Sequence, residues 1–212
     1  MRLTSPLIWT VDSPLAEKGD KTMPLKTTGT SMRCTVLIGV TMNGEKLTPF
    51  VVFTGKPDGR IARNFGGMPD SMRYICQDKV WVDHRVFKSG INLVWAPFAL
   101  EKGTAQYLLM DEFSAHLMAS CSNQIKGCGT TIDYILGGYT SKLQVMNVGV
   151  NKTFKGYVRQ AYENFMIGNI QNRKDRREDI VQWIEIGWEK VKVETITRTW
   201  TKVGIEIVTS AV

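Results

Sequence analysis

Residues 105–136, AQYLLMDEFSAHLMASCSNQIKGCGTTIDYIL, decide the fold. The apolar run at 105–110 predicts a short buried strand. Leu117, Cys121 and Ile125 recur at helical spacing and predict a helix over 113–127, with Gly127 and Gly129 at its exit, and 131–136 predicts a second strand. Strand, helix and strand on short connections imply a parallel pair with a right-handed crossover. Asp111 stands where the first strand stops. It is either half of a metal-binding pair or the acid that caps the following helix.

Working outward, 32–42 (MRCTVLIGVTM) and 47–54 (LTPFVVFT) flank an Asn43-Gly44 turn and predict an antiparallel hairpin. Pro49 removes one ladder donor, so its end of the strand is expected at an edge or a bulge. Residues 55–70 are rich in Gly, Pro and charge and predict an exposed excursion. Apolar residues at Val86, Gly90, Leu93, Val94 and Phe98 predict a helix in 82–100 that ends near Pro97. After a loop at 137–141, Val150, Phe154, Tyr157, Val158, Ala161 and Phe165 predict a long helix over 150–166. A charged loop at 169–179 leads to two more apolar stripes, one through Ile180, Trp183, Ile184, Gly187, Trp188 and Val191, the other through Ile196, Trp200 and Val203 up to Gly204. This order of elements is that of an α/β, RNase H-like (retroviral integrase-type) mixed sheet flanked by helices. It divides into a domain at 1–168 and a C-terminal helical extension at 169–212 packed on it.

With 212 residues, 43% of them hydrophobic, the chain can bury a sizeable core. The four cysteines (Cys34, Cys76, Cys121, Cys128) form no close pair and are expected as reduced thiols of a cytosolic or nuclear protein. Two distant histidines, His84 and His116, cannot complete a spaced zinc set. No apolar run approaches the ~20 residues that cross a bilayer, so no membrane partner is expected. The formal charge of +7 suits a polyanion.

Several blocks together carry a resemblance: EKGDKT (17–22), TTG (27–29), CTVLIGVTMNGEKLTPFVVFTGK (34–56), LLMDEFSAH (108–116), GGYTSKLQVMNVGVNKTFKGYVRQAY (137–162) and ETITRTWTKVGI (194–205). In content and order they resemble the DDE superfamily endonuclease domain, the transposase domain of the pogo, Tigger and jerky lineage. The resemblance implies an RNase H-like fold, a nuclear location and three acids that bind magnesium or manganese to cut DNA. It puts the second acid at Asp111. The third falls in LQVMNVGV, at Asn147, an amide that can ligate a hard cation but lacks the charge that offsets its dehydration. For the first acid, counting back from Lys18-Gly19 by the family's spacing reaches Met1, and Asp12 lies further along the expected strand.

With Asp111 and Asn147 as the catalytic and metal positions, magnesium or manganese binding is expected to be weak or absent and cleavage impaired. His116 is expected on a helix face near the site, while Glu112 and Asp133 are expected at the solvated surface. No helix-turn-helix segment is found, and the sequence reads as a truncated or decayed copy. DNA is the expected partner, held through Lys18, Lys21, Lys142, Lys152, Lys155 and Arg159, with Lys26 and Arg33 nearby, and homo-oligomerisation is left open. Two alternatives stand beside this reading: an active metal-dependent endonuclease completed by Asp12, and a protein-interaction domain using Trp183, Trp188 and Trp200 of the C-terminal helices.

Overall fold

A computed structural model describes residues 7–12, 34–78, 82–168 and 176–205. Its centre is a six-stranded mixed sheet in the order β4-β3-β2-β1-β5-β6. β1 (Leu7–Asp12), β2 (Cys34–Thr41) and β3 (Phe50–Thr54) form an antiparallel meander, and β4 (Arg73–Gln77) adds to β3 in parallel. On the other side, β5 (Gln106–Asp111) runs parallel to β1, and β6 (Thr130–Ile135) runs parallel to β5. The antiparallel hairpin and the parallel β5–β6 pair are therefore both present. The edge strand β4 is an addition that the sequence pattern did not suggest.

The central strands are buried on both faces. Leu37, Phe50, Val52, Leu108 and Met110 pack in one apolar cluster, and their neighbours Ile38, Val40, Val51, Phe53 and Leu109 pack in another. Strands covered on both sides read as continuous apolar runs rather than alternating ones, which explains VLIGV, FVVF and LLM in the sequence.

The first cluster is covered by α2 (His84–Gly90), a π-helical turn (Ile91–Trp95), α3 (Ala96–Lys102) and α4 (Ala119–Gly127). Pro97 does not end this helix. The π turn lets Ala96 N–H bond to the Ile91 carbonyl, and Pro97 then falls in the first turn of α3, where its missing donor is tolerated. The helix stops instead at Gly103, whose φ is 59°. Trp95 is wholly buried and donates its Nε1–H to Thr130 Oγ1 on β6 at 3.1 Å.

The second cluster lies under α6 (Asn151–Gly168), α7 (Arg177–Lys190) and α8 (Val193–Val203). Trp188 and Trp200 are buried, and each sends its indole N–H to a carbonyl beside the hairpin, Leu47 O and Thr41 O, both at 3.1 Å. Trp183 is buried with them. Lys46 donates from the hairpin to the last carbonyls of α7, at 2.7 Å from Trp188 O, 3.2 Å from Glu189 O and 3.1 Å from Val191 O. At the Asn43-Gly44 turn, Gly44 has φ 90°, and an added Cβ would lie 2.4 Å from Val193 Cγ1 of α8.

Two boundaries shift. β3 begins at Phe50 and not at 47, because Pro49 has no N–H for the ladder and leaves its carbonyl to Arg73 N instead, at 2.9 Å. The excursion at 55–70 holds α1 (Arg60–Arg63) and a 3₁₀ turn (Asn64–Gly67). It is not wholly exposed, since Met68 buries itself against the sheet. All four cysteines are free thiols, and among the described residues no helix is long and apolar enough to cross a membrane.

The α6–α7 crossing depends on a missing side chain. A Cβ at Gly187 would lie 2.5 Å from Val158 Cγ2 and 3.1 Å from Val158 N. Gly187→Ala is expected to cost about 1–3 kcal/mol through overpacking, read as a lower urea midpoint, whereas Gly156→Ala on the open side of α6 should cost nothing.

Candidate active site

Asp111 is the last residue of β5 and is half-buried. The chain after it does not enter a helix. Residues 113–118 form tight turns, with His116 N bonded to Phe113 O at 2.8 Å, and α4 starts only at Ala119 with Met118 as its N-cap. Asp111 is thus seven residues before the N-cap of the next helix and does not cap it. His116 lies in these turns and not on a helix face.

The turns carry the His116 ring back onto Asp111. Its Nδ1 lies 2.7 Å from Asp111 Oδ1 and 3.1 Å from the Asp111 main-chain oxygen. The side chain is 1% exposed and sits between Phe87, with ring centroids 4.5 Å apart, and Phe113 at 5.5 Å. Tyr134 Oη donates to the His116 carbonyl at 3.2 Å and lies 3.0 Å from Ser122 Oγ, which holds the turn against β6. Burial is the largest single influence on Asp111 and disfavours its charge. The hydrogen bond and charge of His116, the amide of Gln144 and the Phe113 N–H together outweigh it and hold the carboxyl below the usual carboxylate range.

The other side of the site comes from α5 (Thr140–Leu143) and a π-helical turn (Met146–Val150) that runs into α6. Gln144 lies between them and is fully buried, with its Nε2 3.1 Å from Asp111 Oδ2. Its Oε1 accepts a hydrogen bond from Asn147 Nδ2, and Asn147 Oδ1 accepts one from Asn151 Nδ2 at 3.1 Å. Asp111 and Asn147 therefore lie on one rim, but they meet only through Gln144. Asn147 itself is exposed.

Glu112 and Asp133 are both exposed, and Glu112 Oε2 accepts from Gly137 N at 2.6 Å. Lys142 is exposed on α5. Lys152, Lys155 and Arg159 follow at i, i+3 and i+7 on one side of α6, with Lys152 and Arg159 exposed and Lys155 half-buried. Lys18, Lys21, Lys26 and Arg33 lie outside the described residues. β1 contributes Asp12 as its last residue, paired with Val36. The parallel register that joins Ile8 to Leu109 sets Asp12 two residues beyond the position level with Asp111.

Sequence reasoning missed Gln144 and the position of His116. A glutamine between Leu143 and Val145-Met146 is a polar group set into an apolar run, and such a group needs partners when buried. That signal was present but did not say who the partners are.

A mixed sheet of this strand order, with an acid at the end of its central parallel strand and an amide opposite it, defines a nuclease-like α/β domain of the RNase H class. The sequence model of the DDE superfamily endonuclease family matches residues 31–200, and the chain belongs to that family. It is 27% identical over 200 residues to "Pogo transposable element with KRAB domain" of Homo sapiens and 27% identical over 202 residues to that of Mus musculus, in each case over 89% of this chain and 32% of the relative. The chain thus spans about a third of the length of these curated relatives. Among solved structures, the Mos1 mariner paired end complex with Mn superposes with a TM-score of 0.54 at 10% identity, over 94% of this chain and 52% of that one. The Mos1 strand transfer complex gives 0.52 at 11% identity, over 95% and 51%. At such identities the likeness is one of fold, and the fold is RNase H-like.

The donors fit a two-ion centre poorly. Two divalent ions roughly 3.5–4 Å apart call for carboxylates from several strands, and the described residues contain no group of three His, Cys, Asp or Glu side chains placed to hold a metal. Among the described side chains, Asp111 has the His116 imidazole and the Gln144 amide as neighbours, with the Asn147 amide beyond Gln144.

The Asp111–His116 contact gives a pH signature. Because the folded-state pKa of Asp111 is lowered, its contribution is fully present above the unfolded value, about pH 4, and is lost as pH falls through the folded one. Asp111→Asn is expected to lose about 1–3 kcal/mol at neutral pH. In denaturant titrations its gap from the unmodified protein should close as pH drops below about 4.

Proposed function

We propose that this transposase-derived DDE endonuclease domain binds DNA through phosphate contacts and that its metal-dependent cleavage is impaired. The observation that carries the second half is the state of Asp111. Both of its oxygens have side-chain partners, His116 and Gln144, and the place of the family's third acid is an amide. Magnesium or manganese, which the family uses to stabilise the attacking and leaving oxygens, would here face a rim with one described carboxylate. In this reading Asp111 remains ionised and oriented by His116, while Gln144 and Asn147 supply hydrogen bonds and no charge.

The DNA half is supported by Lys142 beside the rim and by Lys152, Lys155 and Arg159 along one side of α6, with Lys18 and Lys21 added from the sequence. We also place the chain in the nucleus, treat 169–212 as an extension on the 1–168 domain, and leave homo-oligomerisation open.

A second reading, an active endonuclease, is favoured by one observation: β1 lies parallel beside β5 and ends in Asp12, which would bring a second carboxylate to the same end of the sheet. The buried positions of Trp183, Trp188 and Trp200 weigh against a partner surface made of those rings.

A plasmid-nicking assay in manganese separates the two readings. The unmodified chain is expected to nick no faster than Asp111→Ala. Nicking that disappears in both Asp111→Ala and Asp12→Ala would establish the active enzyme instead. In a separate binding titration, affinity for duplex DNA is expected to fall on the order of 10²-fold between 50 and 200 mM salt if about four phosphates are neutralised. Affinity that does not change with salt would remove the phosphate-contact argument.

A further inference from the structure

We propose, on the reading that this domain binds DNA, that Tyr139 with Leu136 forms a stacking platform for an unpaired nucleobase of a strand that runs past Lys142. The loop after β6 presents two large side chains to solvent, Leu136 at 63% exposure and Tyr139 at 53%. They stand at the two ends of one tight turn. Tyr139 N–H closes it by bonding to Leu136 O at 3.1 Å, and Gly138 takes its third position with φ 88°, which a side chain would resist. The Tyr139 carbonyl then accepts from Lys142 N at 2.9 Å and Leu143 N at 2.8 Å at the start of α5. Asp111 pairs with Ile135 in the sheet, so the turn begins level with Glu112, whose Oε2 fastens it by accepting from Gly137 N at 2.6 Å. Both backbone groups of Tyr139 are therefore committed. The residue is held at a fixed place beside the Asp111 rim while half of it stays open to solvent.

The charge nearby selects the partner. Lys142 is exposed three residues beyond the ring, and Lys152, Lys155 and Arg159 continue along α6. A strand whose phosphates are held by Lys142 lies within reach of Tyr139, one helical turn away. Two side chains supply far less than the roughly 800 Å² per partner of a stable protein interface. They do match the face of a base, and a ring beside a cation is the arrangement that holds single strands without regard to sequence. In an intact duplex those faces are covered by the neighbouring bases, so the ring can stack only on a base that has left the helix, and leaving costs least where the base is already unpaired.

Fluorescence anisotropy of the full chain with three labelled DNAs is the test: a blunt duplex, the same duplex with an overhang of unpaired thymidines, and that overhang built of abasic nucleotides, which keeps the phosphates and removes the bases. The unmodified chain is expected to bind the thymidine overhang about ten-fold more tightly than the abasic one, Tyr139→Ala to bind the two alike, and Tyr139→Trp to keep the difference. Equal affinity for the two overhangs in the unmodified chain overturns the proposal without any variant, and so does a difference that survives Tyr139→Ala. If that difference survives and Tyr139→Ala instead changes the sedimentation of the chain, the turn belongs to a contact with a second copy and the proposal is likewise overturned. Blunt-duplex affinity that ignores salt removes the DNA-binding reading itself, whereas salt-dependent binding with equal affinity for the two overhangs removes this inference alone.

Discussion

Burial of both faces of the central strands is the constraint on which the rest of this structure depends. With β2, β3 and β5 packed on each side by apolar clusters, a charged residue on a strand has no place except its end. Asp111 occupies such an end. The same burial requires helices on both faces, and the long connections that carry those helices bring the turns at 113–118 and the segment at 140–150 to the rim where Asp111 emerges. The site is a product of the way the sheet is covered.

The second cover is fastened by polar atoms as well as by apolar area. Trp188 and Trp200 fill the space beneath α7 and α8 with their rings, and their N–H groups satisfy carbonyls at the end of β2 and in the hairpin connection. Lys46 does the reverse from the hairpin, supplying donors to the end of α7. Desolvation lowers its pKa, with the nearby Glu189 charge opposing. These contacts join residues more than 140 positions apart in sequence, and they tie to the hairpin the C-terminal helices that the family match covers to residue 200.

At the rim, electrostatics takes over from packing. A carboxylate partly removed from water must find compensation in a cation, a protonated partner or hydrogen bonds. Here His116 and Gln144 supply it, one from each side, and Asn147 and Asn151 extend the second arm. The network is not closed: Asp111 Oδ1, His116 Nε2 and Asn151 Oδ1 are buried with no hydrogen-bond partner among the described residues.

The sequence by itself determined what depends on local pattern. The hairpin about Asn43-Gly44, the parallel pair around 105–136, the long helix before the charged loop and the stop at Gly204 follow from periodicity and turn chemistry, and the family blocks gave Asp111 its position. Tertiary structure decided the remainder. Helical spacing predicted a helix from 113, but the His116 ring bonds back to Asp111 and keeps 113–118 in turns, an outcome set by Phe87 and Tyr134 from other elements. A proline that should end a helix does not, because a π turn absorbs its missing donor. Gln144 shows the difference most plainly. Its place in an apolar run says that it is buried, but only the approach of α5 and the following turn to the end of β5 says that its partner is Asp111, since hydrogen-bond partners 33 residues apart are chosen by packing and not by spacing.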